Sequence, residues 1–539
     1  MMKRFLLLLA FCTGVISHAA ERVYVCTDRN IYIAGDRIWC SLYCLDGMTQ
    51  NLSRLSSAAY VELASAQGVV CTAKISLIDG CGAGAFNIPA DAPTGNYVLL
   101  AYTRVSGAEG CLDGARILSV FNTSSTARVN GGVEIVDNSL YTLPAFRDET
   151  RGIGISSSGS HACGASFTIN VNSPSDATIS LSVYKTDNIL PPPANDIISF
   201  YSNVVKDKSA SQPGKGTIEY EGEIIHGTIK GERTRLSTIS SAGSPSDFYL
   251  GRADGNGNVY FYTNNIFGDR ELVCSTADKG SYLTIEEPFI HPEPGNIPAL
   301  AIAQSAYTSL VSRKAAAASM ARIPADTLET NLPRRKDILL EGCSYKNYHL
   351  DDYTRFTSLK EIIVEITKEL SIVTVRGEEV LKLRERDKNT GQTFSSDNLL
   401  TMIDGVLING IAQIKRLDAM LLSDVDIYSG SIMIGGLVYG GAVNFITKEN
   451  YVEALDFPSN VRVVDFKGFC FPTAYTGAVP QGQDNRYLLY WHPIMHLRGG
   501  DTSRIRVTAP SSPGKYTVAA EGFDATGHPL RSVYYIDVK

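Results

Sequence analysis

A basic surplus is the first thing missing: 49 Lys and Arg stand against 56 Asp and Glu in 539 residues, a net charge of −7. That balance excludes a general electrostatic grip on nucleic acid or anionic lipid. Past residue 20, no run approaches the roughly 18 consecutive apolar residues of a spanning helix. The best candidate, "IMIGGLVYGGAVNFI", is short and glycine-rich. Gly-x-Ser-x-Gly, His-Glu-x-x-His and the Gly-Lys-Ser/Thr of a phosphate-binding loop are also absent, which removes common signatures of serine hydrolases, zinc proteases and nucleotide enzymes. We expect a protein that is not an enzyme and uses no cofactor, with a nonstandard hydrolase as the remote alternative.

Metal chemistry finds equally little support. His492 and His496 sit four apart, but Pro493 lies between them and no Glu occupies the zincin position. "DGNGN" (Asp254 to Asn258) spaces oxygen side chains as a calcium loop does, yet its sixth position is Val259 where Gly is needed and its twelfth is Asn265 where an acid is needed. A hairpin turn before the strand "VYFYT" is the expectation there.

What the chain does carry begins with an address. Lys3 and Arg4 precede "FLLLLAFCTGVI" and small residues close the run in "SHAA", the layout of a secretory signal peptide over 1–20. Phe11 before Cys12 is a poor fit to a lipid-anchoring signal. The expected location is therefore exported, in the periplasm or associated with the outer membrane. Of 11 cysteines, Cys12 leaves with the leader and an even number remains. Cys26, Cys40, Cys44, Cys71, Cys81 and Cys111 crowd the first domain and suggest disulfides there, with fifteen pairings open. Zinc at "CSLYC" lacks a second pair of ligands.

The expected fold class is mainly β: several Ig- or macroglobulin-like sandwiches in series, plus one small α+β domain. β-branched and aromatic runs bounded by Gly, Asp, Asn and Pro place sandwiches at 21–129, 130–201, 202–290 and 451–539. The alanine-rich 291–354 reads as a partly helical linker, with Arg313, Lys314 and Arg322 on a solvated face. In 355–450, Leu359, Ile362, Ile363 and Ile366 repeat at helical spacing before the strand "SIVTVRG". "LLTMIDGVLINGIAQIKRLDAMLLSDVDIYSG" follows as strand, Asp-Gly turn, strand, helix and strand, and "YGGAVNFITK" closes the set.

Three resemblances rest on these stretches. "TDRNIYIAGDRIW" (Thr27 to Trp39) and "FNIPADAPTGNYVLLAYT" (Phe86 to Thr103) resemble the opening and the last hairpin of an α-macroglobulin MG2-type domain. The Cys-Gly-Glu-Gln thioester of the protease-trapping members is absent, since "CGAG" at Cys81 and "CGAS" at Cys163 lack the acid and the glutamine. No acyl group is there to activate. Glu219 to Thr276 is similar to carboxypeptidase-regulatory-like domains. Leu359 to Lys448 resembles the plug of TonB-dependent receptors at Asp404, Gly405, Tyr439, Gly440, Gly441, Asn444 and Thr447. Gly435 and Gly436 add a second glycine pair for sharp turning.

A transporter barrel of about 22 strands needs more than about 200 residues, far more than follow Asn450, and no energy-coupling box stands beside the leader. The module order resembles exported multidomain proteins of Bacteroidota-type bacteria. It implies a docking role, with the plug-like domain meeting a protein partner at the outer membrane or in the periplasm, such as a barrel encoded elsewhere or an assembly. Carbohydrate or peptide capture by the sandwiches is the alternative, 27 tyrosines leaving room for an aromatic platform.

Overall fold

The computed structural model describes residues 20–129, 133–136, 148–186, 195–207, 216–231, 236–241, 247–293, 296–303, 325–327, 343–375, 377–386, 393–408, 411–434, 437–448 and 457–539. Residues 1–19 of the expected leader, most of the alanine-rich stretch with Arg313, Lys314 and Arg322, and Gly435 and Gly436 lie outside them. The chain is mainly β, as expected, and divides into two units interleaved in sequence: 1–220 with 289–330 and 470–539, and 221–288 with 331–469.

In the first unit, eight strands from Glu21–Thr27 to Arg116–Phe121 form one sandwich. Its core holds Tyr32, Cys40, Leu42, Cys44, Val61, Ile75, Leu99 and Leu118. The opening motif has a physical basis. Buried Asp28 accepts the Trp39 N–H at 3.1 Å and the Tyr32 hydroxyl at 2.8 Å, while Arg29 bridges Asp28 and Asp36. Phe86 to Thr103, however, is not a hairpin. Cys81–Asn87 pairs with Arg37–Asp46, whereas Gly95–Tyr102 pairs with Ala58–Ser65 and Arg116–Phe121. The connection crosses between strand sets, with Ile88 and Ala92 buried on the way.

The segments read as separate sandwiches at 130–201 and 451–539 close a single core. A five-stranded sheet runs Glu149–Arg151, Pro529–Val538, Gly514–Asp524, Ala177–Lys185, Leu488–Leu497; Gly154–Gly159, Ser166–Asn172 and Thr502–Thr508 form a second sheet. Ala177–Lys185 is hydrogen-bonded on both edges by strands from the C-terminal segment. Ile179, Leu181 and Val183 are thereby covered by Leu489, Val518 and Ile505 in one cluster. Neither segment alone has enough strands to bury such a face.

The two sandwiches of this unit share a second apolar cluster, in which Tyr24, Trp39 and Tyr43 meet Trp491, Phe523 and the helix Ile197–Lys206. Asp196 caps that helix by accepting the Ser199 N–H at 2.8 Å. Beside it lies a buried ionic network. Glu521 accepts from the Tyr24 hydroxyl at 2.9 Å and the Cys26 thiol at 3.4 Å, and meets Arg116 at 3.3 Å and Arg531 at 3.5 Å. Burial alone would raise the Glu521 carboxyl, but Arg116 and Arg531 with these hydrogen bonds hold it below the ordinary value of 4.5. Burial and the Glu521 charge push the Cys26 thiol up to about 12.

The second unit contains a smaller sandwich. Asn258–Tyr262, Ile224–Gly231 and Ser281–Ile285 form one sheet; Asp247–Arg252, Leu236–Ser241, Arg270–Thr276 and Val461–Phe466 form the other. The last strand comes from beyond 450, outside the expected 202–290. The Asp254 turn joins the two sheets and is not a hairpin. Hydrogen bonds from Asn258 and Asn256 hold the Asp254 carboxyl below its ordinary value.

The remainder of this unit is an α+β layer. Its five-stranded sheet runs Ser344–His349, Leu422–Ile434, Leu437–Thr447, Leu400–Ile403, Val406–Leu407. The first of these strands falls inside the expected linker. The linker also supplies Leu300–Ala303, paired with Val133–Val136, and Ala325–Thr327, paired with Thr473–Tyr475, both within the first unit. The helical reading of 359–366 holds: Ser358 caps Leu359–Glu361, and Ile362–Ile366 continues as a wider turn closed by the Thr367 N–H on the Ile362 carbonyl at 3.0 Å. Leu359, Ile362, Ile363 and Ile366 all face the core.

Candidate functional site

Four of the seven motif residues of the α+β layer meet in one knot. Met402 pairs with Leu407 and Ile403 with Val406, leaving Asp404 and Gly405 as a two-residue turn with φ of 49° and 82°. Positive φ at both positions suits the twist of the flanking strands, and Asp-Gly tolerates it. The Asp404 carboxylate is buried and points inward. It accepts the Thr447 N–H and the Thr447 hydroxyl, each at 2.7 Å. The Asp404 N–H donates to the Phe445 carbonyl at 2.9 Å, and the Gly405 N–H to Asn444 Oδ1 at 3.0 Å. The knot locks the parallel pairing of Leu400–Ile403 with Ala442 to Phe445.

Gly440 and Gly441 serve packing one step further along that strand. A Cβ on Gly441, whose φ is 146°, would lie 2.5 Å from the Tyr428 carbonyl oxygen and 2.8 Å from Leu383. One on Gly440 would lie 2.2 Å from Ser396 Oγ. Tyr439 does not join the knot. It pairs with Ile432 and packs half-buried among Phe248, Leu400 and Met402, where burial raises its phenol.

Both faces of this sheet are covered within its own unit. The 359–366 helix, Leu381 and Leu383 pack on one; Phe248 and Leu250 of the smaller sandwich pack on the other. What stays open is an edge and a tip.

Sequence reading missed the edge strand, Ser344–His349, whose alternation is polar and weak. Tyr345 and Asn347 donate to Asp426 at 2.9 and 2.8 Å, and His349 Nδ1 lies 2.9 Å from Asp424. Its hydrogen bond to Asp424 raises the His349 imidazole. Burial would raise the Asp424 carboxyl, but His349, Ser423 and Asn347 outweigh it and hold it low. A raised imidazole strengthens this pair below the ordinary value of 6.5, and that contribution fades as pH rises through the folded value. We expect the His349 ring resonances to titrate above 6.5 by NMR, and the Asp424→Asn variant to bring the midpoint back toward it.

The tip is apolar. Met433 is 73% exposed, Val438 opposite it 56% and Leu437 40%.

The other sequence candidates are scattered. The described cysteines form no disulfide in this structure. Cys40 and Cys44 face the first sandwich's core, whereas Cys26 and Cys81 face the tyrosine and tryptophan cluster on the opposite side of the sheet. A bond between these sets would have to cross the sheet. Cys40 and Cys44 themselves stand about 13 Å apart along one strand at 3.3 Å per residue, beyond disulfide reach. Cys71 lies opposite Leu63, and Cys111 follows a short helix near Glu109. No disulfide joins these six cysteines in this structure. His492 is half-buried and lowered by burial, then by His496; His496 is exposed against Thr178. No group of three or more metal-ligating side chains occurs among the described residues.

The first unit also holds an open cavity of about 600 Å³ lined by Arg54, Asp79, Asp176, His496, Arg498 and Asp524 among others. Its acids are engaged: Asp79 meets Arg54 at 3.0 Å, Asp176 accepts the Gly499 N–H, and Asp524 accepts from Thr526 and His528. No helix among the described residues is long and apolar enough to cross a membrane.

No protein-family model and no curated protein matches the chain. Solved structures similar to it include trypsin-activated alpha-2-macroglobulin from Escherichia coli, with TM-score 0.24 and 8% identity over 96% of this chain and 41% of that one. The native conformation of E. coli alpha-2-macroglobulin gives 0.23 and 9% over 97% and 40%. Salmonella alpha-2-macroglobulin reacted with methylamine gives 0.16 and 9% over 96% and 23%. The chain spans less than half the length of each. Likenesses of this depth do not define a family.

Proposed function

We propose that the chain is a non-enzymatic interaction or scaffold protein exported to the Gram-negative envelope. In this reading its first sandwich is of MG2 type, its smaller sandwich of carboxypeptidase-regulatory type and its α+β layer of plug type. The layer docks a protein partner at the outer membrane or in the periplasm, such as a barrel or an assembly. The observation that carries this reading is the bare apolar tip on a sheet whose two faces are already occupied. Met433 and Val438 sit side by side in water, and burying them against a partner recovers roughly 25 cal/mol per Å² of apolar surface.

The test is crosslinking of tagged full-length protein in intact envelopes, with partners identified by mass spectrometry. The wild type is expected to recover an outer-membrane barrel or assembly component, and a Met433→Ser, Val438→Ser variant to lose it at least tenfold while keeping its unfolding midpoint. Equal recovery by the variant rejects the tip as the docking point. Retention on cell-wall or glycan material instead, lost on Arg498→Ala, favours the second reading, capture of carbohydrate or peptide in the polar cavity beside His496.

A further inference from the structure

We propose that Cys40 and Cys470, 430 residues apart in sequence, are a redox modification site that closes to a disulfide. Cys40 lies in Arg37–Asp46, directly across from Gly84, and its thiol lies 3.6 Å from the Gly84 carbonyl oxygen. Neighbouring side chains in such a pair stand about 4.5–5.5 Å apart at Cβ. Gly84 has none; a Cβ built there would meet the Ile75 side chain at 2.8 and 2.9 Å and Cys470 Cβ at 3.5 Å. Cys40 and Cys470 thus both lie beside one glycine, Cys40 in the core of the first sandwich and Cys470 packed against it.

Cys470 is held there by its own backbone, whose N–H donates to the Lys74 carbonyl at 2.8 Å. Burial, then the proximity of Cys470, raises the Cys40 thiol. Cys44 is on the same face but four residues further along the strand, and Cys26 and Cys81 are on the other face.

The chemistry needs an external disulfide of the glutathione class. A thiolate at Cys470, the less buried of the two, attacks one glutathione sulfur and releases a glutathione thiolate, forming a mixed disulfide. The Cys40 sulfur then attacks Cys470 Sγ and expels the second glutathione. The protein loses two hydrogens and glutathione disulfide gains them. With Cys40 buried and its thiol raised, the second step belongs to folding, before the core closes. The resulting loop contains every residue of the second unit.

Protein refolded with oxidised and reduced glutathione, and protein secreted to an oxidising compartment, should be digested without reduction and mapped by mass spectrometry. The expected result is one crosslinked peptide pair containing Cys40 and Cys470, two hydrogens lighter than the sum of its parts, and lost on Cys470→Ser. Blocking of both thiols by iodoacetamide in denaturant, after either treatment of the wild type, would overturn the proposal. So would Cys40 joined to any other cysteine. Neither readout depends on a variant folding or on the docking partner.

Discussion

Glu521→Gln is expected to destabilise the first unit by about 3–5 kcal/mol, measured by urea unfolding, because it removes the charge that buried Arg116 faces. The amide keeps the shape of the carboxylate, so packing is nearly constant and the loss reports on charge. Arg116 would be left beside the Tyr24 hydroxyl and the Cys26 thiol, neither of which ionises at neutral pH. Adding Arg116→Met to Glu521→Gln should recover part of the loss, since an apolar replacement of a buried pair is often neutral. A double variant no better than the single one would mean that the stranded Arg116 charge is not the source of the loss.

The same carboxylate gives the unit an acid limit. Its folded value is held below 4.5, so its contribution is complete above that value and is lost as pH falls through the lowered one. The Glu521→Gln variant should therefore show a flatter fall in stability on acidification than the wild type.

Asp404→Ala should cost the α+β layer about 3–4 kcal/mol. Two buried hydrogen bonds to Thr447 disappear, and alanine is strained at φ of 49°. Asp404→Asn keeps one acceptor and tolerates the turn, so about 1–2 kcal/mol is expected. Denaturant midpoints of the two variants separate the turn from the hydrogen bonds: equal losses would assign the effect to the charge alone.

That knot also shows what local sequence carries. Asp404-Gly405 declares its own turn through backbone conformation, and Leu359, Ile362, Ile363 and Ile366 declare their helix through spacing. Both signals are complete within a few residues. Asn444 and Thr447 were visible as a motif, and the structure supplies their reason: each reaches back to the turn. The partners of Ala177–Lys185 were not legible, because an alternating strand states which face is apolar and nothing about which distant strand will cover it. Val461–Phe466 and Ser344–His349 were misplaced for the same reason. Cysteine count carries no facing either: the alternation of Cys26 and Cys40 about one sheet puts them on opposite faces.

The split second sandwich of the first unit has a consequence for how the chain is made. Ala177–Lys185 leaves the ribosome with both hydrogen-bonding edges bare, and the strands that cover them follow roughly 300 residues later. At about 5–20 residues per second that interval is tens of seconds. During it the apolar face of Ile179, Leu181 and Val183 has no native cover, and an exposed strand edge is a template for mispairing. A nascent chain with this connectivity gains from being held unfolded until its last strand arrives, so its yield should be governed by escort of the nascent chain more than by the stability of the finished fold.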